Sequence, residues 1–160
     1  MIELKKWITI LIIIFVVLVG ITGTIYATAM KPVKSAEEKA ISIAEKKIKL
    51  DKVDHFHLYH GVETVYVLEG IDKKGQKVIV WVPEKSRNVV VRKAKNGLTR
   101  QEAIKKLLEK RTPQKIVSAK LGMENGIPFW EIYYLSDGDL INYYCVDFKT
   151  GEMVKRIENL

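Results

Sequence analysis

The sequence predicts an α+β protein in which a membrane-spanning helix is followed by two tandem units, each with one helix and three strands. An uncharged apolar segment runs from Ile8 to Ala29. Beyond it, a Ser-x-x-Glu capping pattern at Ser35 and a Thr-x-x-Glu pattern at Thr99 each open an amphipathic stretch followed by alternating β-branched segments. This repeated order indicates an internal duplication in which each helix packs on an antiparallel sheet.

The apolar segment has the length of a transmembrane helix, because about 20 residues at about 1.5 Å each cover the roughly 30 Å of hydrocarbon. Lys5 and Lys6 precede it. A short N-terminal tail with two lysines normally stays in the cytoplasm. We therefore expect residues 1–7 to be a cytoplasmic tail, 8–29 a single-pass anchor in the cell membrane and 30–34 a linker to an extracytoplasmic part.

A cleaved signal peptide is the alternative, because Ala27-Thr28-Ala29 has the form of a cleavage site. The apolar region of a signal peptide is usually about 7 to 15 residues long, shorter than this segment, and the difference favours a retained anchor. Both interpretations export residues 31–160.

The charge of the chain limits its partners. The net charge is +8, and the residues before the apolar segment contribute +1, so the remainder carries +7. A basic surface often binds nucleic acid. Outside a membrane, however, the anions within reach are lipid head groups and polyanionic wall polymers. We expect no nucleic-acid partner, and scattered lysines that only confer solubility are the simpler explanation.

The first domain is predicted to span residues 35–97. Its helix is expected to run to about Leu50, with an apolar stripe at Ala40, Ile43, Ala44 and Ile48. Three alternating segments separated by turns predict the strands, at residues 53–60, 62–69 and 76–83. Residues 88–92 extend this sheet or add a strand.

The second domain is predicted to span residues 98–160. Its helix has an apolar stripe at Ala103, Ile104, Leu107 and Leu108, and must end before Pro113. The strands are expected at residues 114–123, 128–135 and 140–148, and a further turn returns the chain through 152–157.

Two segments, Val80-Trp81-Val82-Pro83 and residues 144–151, resemble the YpmB/TseB-like cell-wall elongation regulators of Gram-positive bacteria. The second is also similar to the closing hairpin of the PepSY repeat, and the resemblance covers nearly the whole chain. It implies two cystatin-like, PepSY-like domains outside the membrane and a regulatory association with a class B penicillin-binding protein, a transpeptidase. It implies no catalysis. The alternative function is a PepSY-like inhibitor or modulator of a secreted or membrane peptidase.

Three histidines, His55, His57 and His60, are the candidate metal ligands. On a strand, His55 and His57 point to the same face, and zinc accepts such a set. The alternative is a half-exposed strand face backed by Phe56 and Leu58. Because no second ligand cluster accompanies the histidines, we expect neither a metal nor a cofactor.

No catalytic set can be assembled from the sequence. Ser35 lies at a predicted helix cap and Ser42 in the helix that follows. Cys145, the single cysteine, lies within a predicted strand and excludes an intramolecular disulfide. The aspartates at residues 137–147 cluster at turns, where Asp is favoured for its backbone hydrogen bonds. We therefore expect a protein that is not an enzyme.

The strands contain more aromatic side chains than the predicted helices can cover. Alternation places Trp130 and Tyr134 opposite Tyr133. The excess rings either pack between the two units or mark a partner site. We take as candidate partner-binding residues Trp81, Trp130, Tyr134 and Tyr143.

Overall fold

The computed structural model describes residues 2–85 and 88–160, so Met1 of the predicted tail lies outside the described residues. The helices are α1, Ile2–Ala44, and α2, Arg100–Leu108. The strands in chain order are β1 Leu50–His60, β2 Thr64–Asp72, β3 Lys77–Pro83, β4 Val90–Lys93, β5 Lys115–Glu124, β6 Ile127–Ser136, β7 Leu140–Asp147 and β8 Met153–Ile157.

The strands form two four-stranded antiparallel sheets in which each strand pairs with its neighbour in sequence. The first sheet has the order β1-β2-β3-β4 and the second β5-β6-β7-β8. The predicted α+β fold class, with two antiparallel sheets after a long N-terminal helix, is confirmed. Each sheet has a fourth strand. β4 pairs with β3, so residues 88–92 add a strand, which was one of the two outcomes expected for them, and β8 pairs with β7 where the chain was expected to return through 152–157.

The start of the first predicted domain, residues 35–97, differs from the prediction. Residues 30–34 are helical, and no separate helix begins at Ser35, because α1 is continuous through both. Pro32 removes one backbone hydrogen bond, but the Ala, Met, Lys and Glu residues around it are good helix formers and continue the helix. The helix ends at Ala44 rather than Leu50, because Leu50 already pairs with Asp72 in the first sheet.

The chain divides into a unit that ends at Glu38 and a second unit, Lys39–Leu160. The first unit is helical, and the helix portion that begins at Lys6 is long and apolar enough to cross a membrane. The Thr22 hydroxyl donates to the carbonyls of Leu18 and Val19, at 2.9 and 3.0 Å. Such bonds satisfy a hydroxyl within an apolar helix.

Both sheets contribute to the core of the second unit. Trp81 on β3 is completely buried, and its ring meets that of Phe148 edge-on, with the centroids 5.3 Å apart. Val67 of the first sheet, Leu107 of α2 and Ile132 of the second sheet belong to the same cluster. Aromatic rings therefore pack between the two sheets, which was one of the two outcomes expected for the excess rings.

The opposite face of the first sheet lies beside the end of α1 that belongs to the second unit. Leu68 and Val80 on this face are buried, and so are Ala40 and Ala44 of the helix. The Lys39 ammonium lies 5.9 Å from the centroid of the Tyr66 ring. The first sheet therefore has packed side chains on both faces, as its nearly continuous apolar strands require.

The capping box predicted at the start of α2 is confirmed. The backbone N–H of Thr99 donates to the Glu102 carboxylate at 2.8 Å, and the Thr99 hydroxyl accepts from the Glu102 N–H at 3.3 Å. Ala103 and Leu107 are buried, but Leu108 is exposed. In this helix of nine residues, positions 103 and 107 form one line towards the core, and 108 lies to its side.

Candidate partner-binding groove

An open cavity of about 430 Å³ lies where the first sheet meets α2 and the second sheet. We call it the inter-sheet groove. One wall carries His55, His57 and Glu69 from β1 and β2, and the other carries Arg100 and Lys120 from α2 and β5. The apolar residues that line it are Ile79, Ala94, Leu98, Ala119, Leu121 and Trp130.

The groove combines an apolar floor with a charged rim. Leu121 and Trp130 are buried, whereas Arg100 and Lys120 are exposed. A second cavity shares Glu69 with the first and continues towards Asp54 and Lys77. The groove is therefore elongated, with a mixed-charge end and an end where the cations of α2 and β5 flank apolar surface.

Hydrogen bonds fix the walls of the groove. The Trp130 indole Nε1 donates to the Leu98 carbonyl at 2.8 Å, and the Leu98 N–H donates to the Phe148 carbonyl at 2.7 Å. Nε2 of His57 lies 2.8 Å from the Leu121 carbonyl, which can only accept, so this nitrogen carries the hydrogen. The first sheet, through His57, and the segment between the two sheets, through Leu98, are thus both attached to the second sheet. The groove is therefore preformed.

A polar cluster joins the sheets next to this contact. The Tyr59 hydroxyl lies 3.1 Å from Glu124 Oε1 and 3.2 Å from Glu131 Oε2, and the Lys155 ammonium lies 2.8 Å from Glu124 Oε1. Burial raises the pKa of Glu131, and Glu124 adds to the rise, while Tyr59, Lys155 and Lys120 oppose it. One phenolic hydrogen cannot serve two carboxylates, so ionised Glu131 is poorly satisfied there.

We expect Glu131→Gln to stabilise the protein at neutral pH. A folded-state pKa above the unfolded value means that the wild type loses stability as the pH rises from the ordinary glutamate pKa through the raised one. Glutamine cannot ionise and can donate a hydrogen bond, so the variant should not show this loss. Thermal unfolding from pH 4 to 8 measures the difference. A variant that is less stable than the wild type at pH 7 and no different at pH 4 would contradict the argument.

The three candidate metal ligands do not converge. His55 and His57 line the inter-sheet groove, as strand alternation predicts. His60 lies on the opposite face of β1, with Nδ1 3.5 Å from the Thr64 hydroxyl. Across residues 2–85 and 88–160, no group of three or more His, Cys, Asp or Glu side chains is arranged to hold a metal ion.

Three of the four candidate partner-binding aromatics are core residues. Trp81, Trp130 and Tyr134 are buried, and of these Trp130 also lines the floor of the inter-sheet groove. The reason for their burial is that the first sheet and α2 together cover the rings that one helix could not. Tyr143 is half-buried and stacks on Tyr133, with the ring centroids 5.2 Å apart.

The sequence interpretation missed the charged rim of the groove. Arg100 follows the cap residue Thr99, which placed it at the start of a helix, and Lys120 alternates with buried neighbours on a strand. Neither pattern indicates which residues of the first sheet lie opposite Arg100 and Lys120. That information comes from the packing of the sheets.

Comparisons with known proteins match both halves of the second unit. Residues 39–83 match the cell wall elongation regulator TseB-like domain, and residues 97–156 match the PepSY domain, described as the peptidase propeptide and YPEB domain. The chain is 32% identical over 146 residues to the probable cell wall elongation regulator TseB of Bacillus subtilis (strain 168), covering 91% of each protein.

The fold also matches a solved structure, that of the YpmB protein from Bacillus subtilis. The TM-score is 0.72 at 32% sequence identity, and the match covers 76% of this chain and 95% of the other.

Proposed function

Because this chain belongs to the TseB-like family of cell wall elongation regulators, we propose that it is a membrane-anchored, non-catalytic regulator that binds a class B penicillin-binding protein outside the membrane. The observation that carries the proposal is the similarity to a probable cell wall elongation regulator over 91% of the chain. The two packed sheets supply a binding surface, and the apolar helix tethers it to the membrane that contains the synthase.

The orientation follows from the positive-inside rule. Lys5 and Lys6 keep the short N-terminal tail in the cytoplasm, and the second unit then lies on the side where a transpeptidase acts. The helix from Lys6 onward is long enough to span the membrane. Residues 30–34, the predicted linker, are helical.

A regulatory role agrees with the state of the single thiol. Burial raises the pKa of Cys145 to about 12, so this side chain is protonated at neutral pH and unsuited to nucleophilic attack. The inter-sheet groove instead has the character of a binding site, because an apolar floor is flanked by a few charged groups. We propose that it accepts an apolar side chain of the synthase at Leu121 and Trp130, with a neighbouring carboxylate near Arg100 and Lys120.

A photo-crosslinking amino acid at position 120 tests this proposal in intact cells. We expect it to form an adduct with a class B penicillin-binding protein, because Lys120 lies at the rim of the groove. The same amino acid at position 73 is the control, since Lys73 is exposed in the turn between β2 and β3. Adding Arg100→Glu should reduce the adduct several-fold by repelling an acidic partner.

The second candidate function is modulation of a peptidase, which is favoured by the match of residues 97–156 to a peptidase propeptide domain. The crosslinking experiment separates the two functions, because mass spectrometry identifies the captured protein. A peptidase captured at position 120 supports the second function. Equal capture of the synthase at positions 73 and 120 would refute the assignment of the groove.

A further inference from the structure

A second groove, of about 520 Å³, lies between α2 and the outer strand β8 and shares no lining residue with the inter-sheet groove. We call it the helix–strand groove. Four cations and two carboxylates line it: Lys106, Lys110, Arg111, Arg156, Glu109 and Glu152. The lining therefore carries a positive net charge.

One carboxylate organises the two arginines. Glu158 Oε1 accepts from Arg111 Nε at 2.8 Å, and Glu158 Oε2 forms an ion pair with Arg156, with Nε 3.2 Å away. Glu158 is not among the described residues that line the groove, whereas both arginines are. Arg111 also donates from Nη1 to the Lys110 carbonyl at 2.9 Å. These bonds engage only part of the five N–H donors of each guanidinium and hold the two groups side by side.

The lysines complete the groove from the helix. Lys106 packs on Gly151, where an added Cβ would lie 3.2 Å from its Cγ and Cε atoms, and its ammonium lies 3.1 Å from Glu109 Oε2. Gly151 has φ +73°, a backbone conformation that favours glycine and leaves room for this side chain. Lys110 follows Lys106 by one helical turn in sequence and lines the same groove.

We propose that the helix–strand groove binds the phosphodiester groups of an extended polyanionic polymer. Guanidinium groups pair with phosphate oxygens through two parallel hydrogen bonds, and lysines add point charges. The groove is open, so a chain can pass along it and bring successive phosphates to the helix lysines and the paired arginines. We commit to a polymer rather than a lipid bilayer, because head groups in a flat surface reach a concave site poorly.

The test measures binding of fluorescently labelled poly(glycerol phosphate) to full-length protein in a non-ionic detergent, by anisotropy over a range of salt concentrations. The groove variant is Lys106→Gln with Lys110→Gln, which leaves the Glu158 contacts intact. The matched control is Lys73→Gln with Lys74→Gln, two exposed lysines of the turn between β2 and β3, with the same change in net charge.

We expect the groove variant to bind about tenfold more weakly than the wild type and to depend less on salt, because phosphate contacts are lost. The control should change affinity less than about threefold. Arg156→Gln should weaken binding as well, and unchanged thermal unfolding of each variant shows that it is folded.

Three outcomes would overturn the proposal. If the wild type shows no saturable binding, the groove is not a binding site for the polymer. Equal weakening by the groove and control pairs would mean that net charge alone attracts the polymer. Full displacement of the polymer by glycerophosphoglycerol at the same phosphate concentration would mean that the site recognises a single lipid-type head group, since a chain gains affinity from several linked contacts.

Discussion

Replacing Trp81 with alanine is expected to lower the free energy of unfolding of the second unit by about 3–5 kcal/mol. The side chain is completely buried and packs edge-on against Phe148. Its removal leaves a cavity that the surrounding core can close only in part. The Trp81 Nε1 atom has no hydrogen-bond partner among the described atoms, so the expected loss comes from packing and apolar burial.

The variant also tests whether the two repeats unfold together. Trp130 lies in the second sheet, and its fluorescence in urea reports on that sheet while the mutation removes a side chain of the first. The chain has three tryptophans, so full-length protein in non-ionic detergent carries Trp7→Phe in every sample and Trp81→Phe in the reference and the control, which leaves Trp130 as the single tryptophan. We expect the Trp130 transition to move to lower urea, because both sheets share one core.

Val62→Ala is the control, because Val62 is 80% exposed and its truncation should change stability by less than about 0.5 kcal/mol. An unchanged Trp130 transition in Trp81→Ala would show that the repeats are independent domains.

A secreted form that begins near Lys31 is expected to lose most of its activity in cells. A membrane anchor confines the protein and a membrane-bound partner to one surface, and tethering can raise the effective concentration to the mM range. Without the anchor, a weak interaction is lost although no contact in the groove has changed. Complementation of the wall-growth phenotype of a deletion strain measures the effect.

An anchor swap is the control for this experiment. Joining the same fragment to an unrelated single-span helix should restore activity if the native helix is only a tether. A Cβ added to Gly20 or Gly23 would meet no heavy atom within 4 Å, so both glycines offer space for another helix to approach closely. Failure of a normally exported swap would place a partner contact in the membrane, and full rescue by the secreted form would refute the tether.

Two similar capping patterns had different outcomes, which shows what local sequence can predict. Thr99 caps α2 because Asn96 and Gly97 interrupt the chain just before it. Ser35 has the same pattern with Glu38, but good helix formers precede it, and the helix that contains the apolar segment continues through it. A capping pattern therefore predicts a helix start only where the preceding residues stop a helix.

The positions of the strands were largely predictable, but the way in which the sheets pack was not. Alternation identified the two faces of β6 and β7, because neighbouring side chains point in opposite directions. It could not show that Trp81 would meet Phe148 or that Arg100 would face His57, since these pairs belong to different repeats. For the same reason the sequence did not show which aromatic rings pack in the shared core, and the groove was missed.

The shared core has a consequence for the order in which the protein can fold. Synthesis proceeds from the N-terminus, so β1 to β4 are complete before β5 to β7 and Phe148 exist. Until then, the face of the first sheet that carries Trp81 has nothing to cover it. An apolar sheet face with open strand edges aggregates readily. We therefore expect β1 to β4 to stay incompletely packed, and accessible to a holding chaperone, until the second sheet has been made. The final structure of the first sheet then forms only after that point.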